Sequence, residues 1–221
     1  MKKTDFYKIL VVAIAAVVIT IGNANAADSK VISDSQTYTL TTCPVTGQTL
    51  GAMGDPVIET INGREIRFCC AGCVDKYRDK AEEYGKKVDA AIIEQQKAAY
   101  PLDKCVVLGG PLGGMGDPVD YVYQNRLVRF CCAGCIQKFE SDPATYLAKL
   151  DAAVTEKERA SYPLDTCVVD GEPLGDAPVE LVIGNRLVLL HSKACADAVR
   201  KNPASYISKI DAAAKADSGT K

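Results

Sequence analysis

Arg67-Phe68-Cys69-Cys70-Ala71-Gly72-Cys73 returns in the chain as Arg129-Phe130-Cys131-Cys132-Ala133-Gly134-Cys135. Thiols so crowded either bond to one another or ligate a soft ion. Another cysteine precedes each cluster, Cys43 before the first and Cys105 before the second, and Cys167 continues that series at the same interval of 62 residues. After Cys167 the pattern changes. Leu187-Val188-Leu189-Leu190-His191-Ser192-Lys193-Ala194-Cys195 aligns with the segment from Leu127 to Cys135, so His191 replaces the first cysteine of the pair and Ser192 the second.

His191 is the only histidine of the chain. Cysteine and histidine share little chemistry beyond metal ligation, where each offers a soft or borderline donor to zinc or copper. A disulfide does not survive such an exchange, and serine is a poor substitute for thiolate. One ligand set per copy follows: Cys43, Cys69 and Cys73; Cys105, Cys131 and Cys135; Cys167, His191 and Cys195. Arg67 and Arg129 stand two positions before the first cysteine of each pair, on the same face if the segment is a strand. A cation there favours thiolate; the plainer reading is a solvated strand face. Leu189 holds the equivalent place in copy three, where two thiolates and an imidazole around a divalent ion leave no charge to compensate. Met53 and Met115, at matching positions, offer thioethers suited to Cu(I) or simply pack their loops.

The repeat extends beyond the cysteines. Tyr38, Tyr100 and Tyr162 each lie five residues before the first cysteine. Val57–Ile61 and Arg64–Phe68 flank Asn62-Gly63, a strong hairpin signal. Val119–Tyr123 with Leu127–Phe130, and Val179–Ile183 with Leu187–Leu190, repeat it. A helix follows each cluster and breaks at Ser141-Asp142-Pro143 and at Asn202-Pro203, where a polar cap precedes proline at the first helical position. Tyr146, Leu147, Leu150 and Val154, like Tyr206, Ile207 and Ile210, recur at helical spacing as core. Arg64, Arg126 and Arg186 sit beside the turn of every copy and serve structure. The expected fold is α+β: three tandem small ββα units, zinc-ribbon-like and joined by helices. Their bounds are 37–98, 99–160 and a degenerate 161–216, after a linker at 27–36 and before a disordered tail at 217–221. Units of about 60 residues bury little surface and need a staple, so the cysteines have structural work in any case.

Phe-Cys with the next ligand cysteine four on, followed by Phe139, Asp142-Pro143 and Tyr146, and preceded by Cys43-Pro44-Val45, resembles the YHS domain and its relative, the TRASH domain. The resemblance spans all three units and is weakest in copy three, which departs by His191 and by a two-residue deletion that removes the counterpart of Met115. It implies a small hairpin-plus-helix metal-binding fold used in trafficking, resistance or sensing of heavy metals.

The chain opens with Met1-Lys2-Lys3 and an apolar run from Ile9 to Ile21, then Ala24-Asn25-Ala26. That is a secretory signal peptide over 1–26, cleaved after Ala26, with a run shorter than the ~20 residues of a membrane span. Cleavage takes Lys2, Lys3, Lys8 and Asp5, lowering 26 basic residues to 23 and 28 acidic to 27, a net charge of −4. Such a chain is not built for nucleic acid, and it meets a membrane only through an uncleaved signal. A periplasmic or secreted location follows, and there ten cysteines ordinarily mean disulfides.

Three functions compete. The first is an exported protein binding Zn2+ or Cu+ as buffer, carrier or resistance factor, with a metal-handling or envelope protein as partner. The second is an array stapled by disulfides or fixed zinc that binds a protein; Cys167–Cys195, Cys43–Cys73 and Cys105–Cys135 are its bridges. The third is thiol–disulfide exchange at Cys70-Ala-Gly-Cys73 and Cys132-Ala-Gly-Cys135, which lacks the βαβ context of such enzymes. With no phosphate-binding loop, no Ser/His/Asp set and a single histidine, no enzyme activity is expected.

Overall fold

Asn62 and Gly63 both adopt positive φ, at 53° and 76°. Gly184 and Asn185 do so at 54° and 58°. This left-handed pair matches the twist of the strands it joins, and asparagine and glycine tolerate it. The pair joins β2 (Val57–Ile61) to β3 (Arg64–Phe68) and β6 (Val179–Ile183) to β7 (Arg186–Leu190), and β4 (Val119–Tyr123) turns into β5 (Arg126–Phe130) through Gln124 at φ 56°. The computed structural model describes residues 31–218, so the signal peptide expected over 1–26 lies outside the described residues. The architecture is α+β, built of small hairpins and helices.

Each hairpin runs through the cysteine cluster into a short helix and then a long one. These are α1 (Gly72–Asp79) and α2 (Ala81–Lys97), α3 (Gly134–Ser141) and α4 (Pro143–Arg159), and α5 (Ala194–Lys201) and α6 (Pro203–Ser218). The expected breaks occur at Asp142 and Asn202. The Asp142 side chain accepts a bond from the Thr145 N–H at 3.3 Å, and Pro143 gives up no needed donor. Among the described residues no helix is long and apolar enough to cross a membrane.

Three cores form, one per copy, and the long helices couple them. Val88 and Ile92 of α2 belong to the first core, while Ile93 packs against the second. Leu147 and Leu150 of α4 belong to the second core, while Val154 packs on Val182, Leu187 and Leu189 of the third hairpin. The helical stripes expected as core are core, and α2 and α4 each serve two copies, whereas Ile210 of α6 belongs to the third core.

Polar bonds repeat along the same joints. Arg64 Nε donates to Asn125 Oδ1 at 3.2 Å, and Arg126 Nε to Asn185 Oδ1 at 2.6 Å. Asn125 Nδ2 in turn donates to the Glu65 carbonyl at 2.7 Å, and Asn185 Nδ2 to the Leu127 carbonyl at 2.8 Å. Each arginine also pairs with an aspartate 25 residues on: Arg64–Asp89 at 2.5 Å, Arg126–Asp151 at 2.5 Å and Arg186–Asp211 at 2.7 Å. The turn arginines are structural, as expected, and they bind one copy to the next.

Two segments differ from expectation. Residues 31–34, read as linker, form β1 (Val31–Asp34), which pairs in parallel with β6 and completes a sheet of order β1-β6-β7. Extended residues with an edge of the last hairpin in reach gain ladder hydrogen bonds that an isolated segment lacks. At the other end, α6 continues to Ser218, so residues 217 and 218 are helical rather than tail.

Candidate metal centre

The first cysteine of each copy sits in a tight loop made by two backbone bonds. The Cys43 N–H donates to the Gln48 carbonyl and the Gly47 N–H returns to the Cys43 carbonyl, both at 2.8 Å. Cys105 with Gly110 and Gly109, and Cys167 with Glu172 and Gly171, make the same two bonds. The loop closes because its fourth residue after cysteine is left-handed: Gly47, Gly109 and Gly171 have φ of 71°, 70° and 80°. The remaining donors come from the strand-to-helix junction. Cys73 and Cys135 stand in the first turn of α1 and α3, so a four-residue step turns back onto Cys69 and Cys131.

The nine residues singled out from the sequence converge in three groups. Within Cys43, Cys69 and Cys73, within Cys105, Cys131 and Cys135, and within Cys167, His191 and Cys195, all donor atoms lie within 4.8 Å of one another. Cys69 and Cys73 sulfurs are 3.7 Å apart, Cys105 and Cys135 3.7 Å, and Cys131 and Cys135 3.8 Å. A disulfide needs about 2.05 Å. Sulfurs on a tetrahedral zinc at ~2.3 Å stand about 3.8 Å apart. All ten cysteines are free. Cys135 touches Cys105, Cys131 and Cys132 at once, which suits a shared ion better than any one bridge.

The thiols share protons unequally. Burial pushes Cys43 up, but the Cys69 backbone N–H, the Thr46 hydroxyl and further loop N–H groups outweigh it and bring the thiol down to about 7. Cys105 is lowered by the same kind of loop bonds acting against burial. Burial raises Cys73 and Cys135, and bonds to neighbouring sulfurs raise them further. The loop sulfurs of Cys43 and Cys105 are thus more readily ionised than those of Cys73 and Cys135, and a bound cation would favour the anionic form of all of them.

Cys70 and Cys132 are half-buried, beside the groups rather than in them, at 3.6 Å from Cys73 and 3.8 Å from Cys135. Ser192 keeps that contact in copy three, its hydroxyl 3.4 Å from the Cys195 sulfur.

One donor escaped sequence reading. Asp170 joins Cys167, His191 and Cys195, its Oδ2 lying 3.2 Å from the Cys195 sulfur and 3.2 Å from His191 Nδ1. Its signal was its place three residues after Cys167, where Thr46 and Leu108 stand in the sister copies.

The arginines and methionines require corrections. Arg67 is buried and bonds Glu65 at 2.7 Å, the Lys201 carbonyl at 2.8 Å and the Arg200 carbonyl at 2.5 Å. It closes the end of α5, whose last carbonyls need donors and favour a cation. Arg129 bonds Asp120 at 2.6 Å and lies over the Tyr100 ring. Neither is a solvated face, and both guanidinium groups are engaged away from the thiols. Met53 and Met115 are 59% and 64% exposed, so they do not pack their loops.

Comparison of the chain with protein-family models, with curated proteins and with solved structures finds no match to any of them.

Proposed function

We propose that the chain is a soft-metal-binding protein of the cell envelope or exterior, a buffer, carrier or resistance factor for zinc or copper, made of three YHS/TRASH-like, zinc-ribbon-like units. The observation that carries this reading is the threefold recurrence of one donor cluster, with an imidazole in one copy where the others have sulfur. The ligands are Cys43, Cys69 and Cys73 in the first unit, Cys105, Cys131 and Cys135 in the second, and Cys167, His191 and Cys195 in the third. Such an ion is cargo and staple together, since the same cysteines are members of the hydrophobic cores.

Cargo must also exchange. Cys70 and Cys132 favour a buffer or carrier over a fixed staple, because each sets a partly exposed thiol against a buried ligand. An incoming thiol or ion meets that sulfur first. Export rests on the N-terminal signal pattern alone. No catalytic step is assigned to the protein.

Native mass spectrometry of the protein without residues 1–26, offered Zn2+ or Cu+ before and after reduction, tests the reading. Reduced protein carrying at least two ions supports it. Protein that stays metal-free under both conditions and loses ten hydrogen masses to five disulfides on isolation rejects it in favour of the stapled array.

A further inference from the structure

We infer that the chain holds two kinds of metal centre, and that Asp170 makes copy three a four-ligand zinc site distinct from the three-thiolate sites of copies one and two. This rests on the proposal that the clusters bind metal at all.

The cysteine loops have the same hydrogen bonds in all three copies, so the third residue after the cysteine occupies one structural position. Its chemistry differs each time. In copy one it is Thr46, whose hydroxyl lies 3.4 Å from the Cys69 sulfur. In copy two it is Leu108, which has no donor and is 58% exposed. In copy three it is Asp170, whose carboxylate touches both Cys195 and His191. With Cys167, this gives two sulfurs, one nitrogen and one oxygen, each within 4.8 Å of the others.

That set suits zinc in number and kind. Structural zinc takes four ligands from cysteine, histidine and carboxylate, and mixed nitrogen, oxygen and sulfur edges of such a tetrahedron are about 3.3–3.8 Å long. The observed separations in copy three are 3.2, 3.2 and 3.5 Å. Three departures from the sister copies act in one direction. His191 replaces a sulfur by nitrogen, Asp170 adds oxygen, and Ser192 removes the neighbouring thiol. Together they turn an all-sulfur site, which selects a soft ion content with three ligands, into a borderline site that completes four. Ser192 also leaves copy three without the half-exposed exchange thiol, as a resident ion requires.

The experiment titrates the reduced protein with Zn2+ under a competing chelator, and separately with Cu+, counting bound ions by native mass spectrometry. Wild type should keep one zinc at a chelator strength that empties the other sites. D170L should weaken that zinc at least tenfold, since losing even an outer partner of a ligand costs about 10–100-fold, and should leave Cu+ at copies one and two unchanged. L108D, at an exposed position, should let the protein retain a second zinc. Zinc held equally by all three copies, zinc unchanged in D170L, or no gain in L108D overturns the assignment while Cu+ binding leaves the metal-binding reading standing. Binding of neither ion to reduced wild type overturns both.

Discussion

His191 Nδ1 lies 3.5 Å from the sulfur of Cys195, four residues on, where Cys69 and Cys73 are 3.7 Å apart and Cys131 and Cys135 3.8 Å. An imidazole thus stands in for a thiol at nearly the same separation. The step from strand end to first helical turn places one donor atom beside the next whichever side chain supplies it. What the exchange preserves is a donor atom, not a covalent partner.

The ligand choice within the crowded pair is testable by substitution. C69S should abolish the ion of copy one, whereas C70S should leave its occupancy intact and slow only the exchange of that ion. Stoichiometry by mass spectrometry and transfer to a chelator by stopped flow separate the two effects. Equal loss of the ion from both variants would move Cys70 into the ligand set.

Binding should depend on pH with a definite sign. Cys73 and Cys135 thiols are raised, so at neutral pH they are protonated and an ion must displace those protons. Affinity for zinc should rise with pH, on the order of tenfold per unit for each proton released, and fall as acid refills the thiols. Competition titrations between pH 6 and 8, paired with proton release in weakly buffered solution, check this. Affinity independent of pH would contradict the raised Cys73 and Cys135 thiols.

Stability between copies should hang on the turn arginines. Arg126 and Asp151 side chains are 0% and 5% exposed and 2.5 Å apart. D151A strands a buried guanidinium and should cost about 3–5 kcal/mol. D89A should cost less, because the Asp89 side chain is 41% exposed and water takes its place. Urea melts of the two variants rank them; equal midpoints would contradict the ranking by burial, and a D151A midpoint equal to wild type would show the buried pair to be dispensable.

Asp120 gives a prediction for acid. Burial pulls its carboxyl up, but bonds from Lys97 and Arg129 overcome that and hold it low. The folded value lies below the unfolded one, so its contribution is present above the ordinary carboxylate range and is lost as pH falls through the folded value. D120N should be less stable at neutral pH and lose less between about pH 5 and pH 2. A D120N curve parallel to wild type would deny the linkage.

The period of the chain, its hairpins, the helix breaks at Asp142 and Asn202 and the grouping of the nine donor residues into three clusters were all legible along the sequence. Each depends on residues near one another in the chain, on turn conformations and caps, and repetition supplied three independent readings of the same local pattern. Asp170 was hidden because one loop position carries threonine, leucine and aspartate in turn, and only the folded loop shows it facing His191 and Cys195. Arg67 was misread because its partners, the carbonyls of Arg200 and Lys201, lie far along the chain in another copy. β1 was missed for the same reason, since its ladder belongs to β6. Unlike the repeated arginine–asparagine joints, these two contacts occur once and leave no periodic trace; they arise when small cores that cannot bury enough surface alone pack together, and that packing chose the partners.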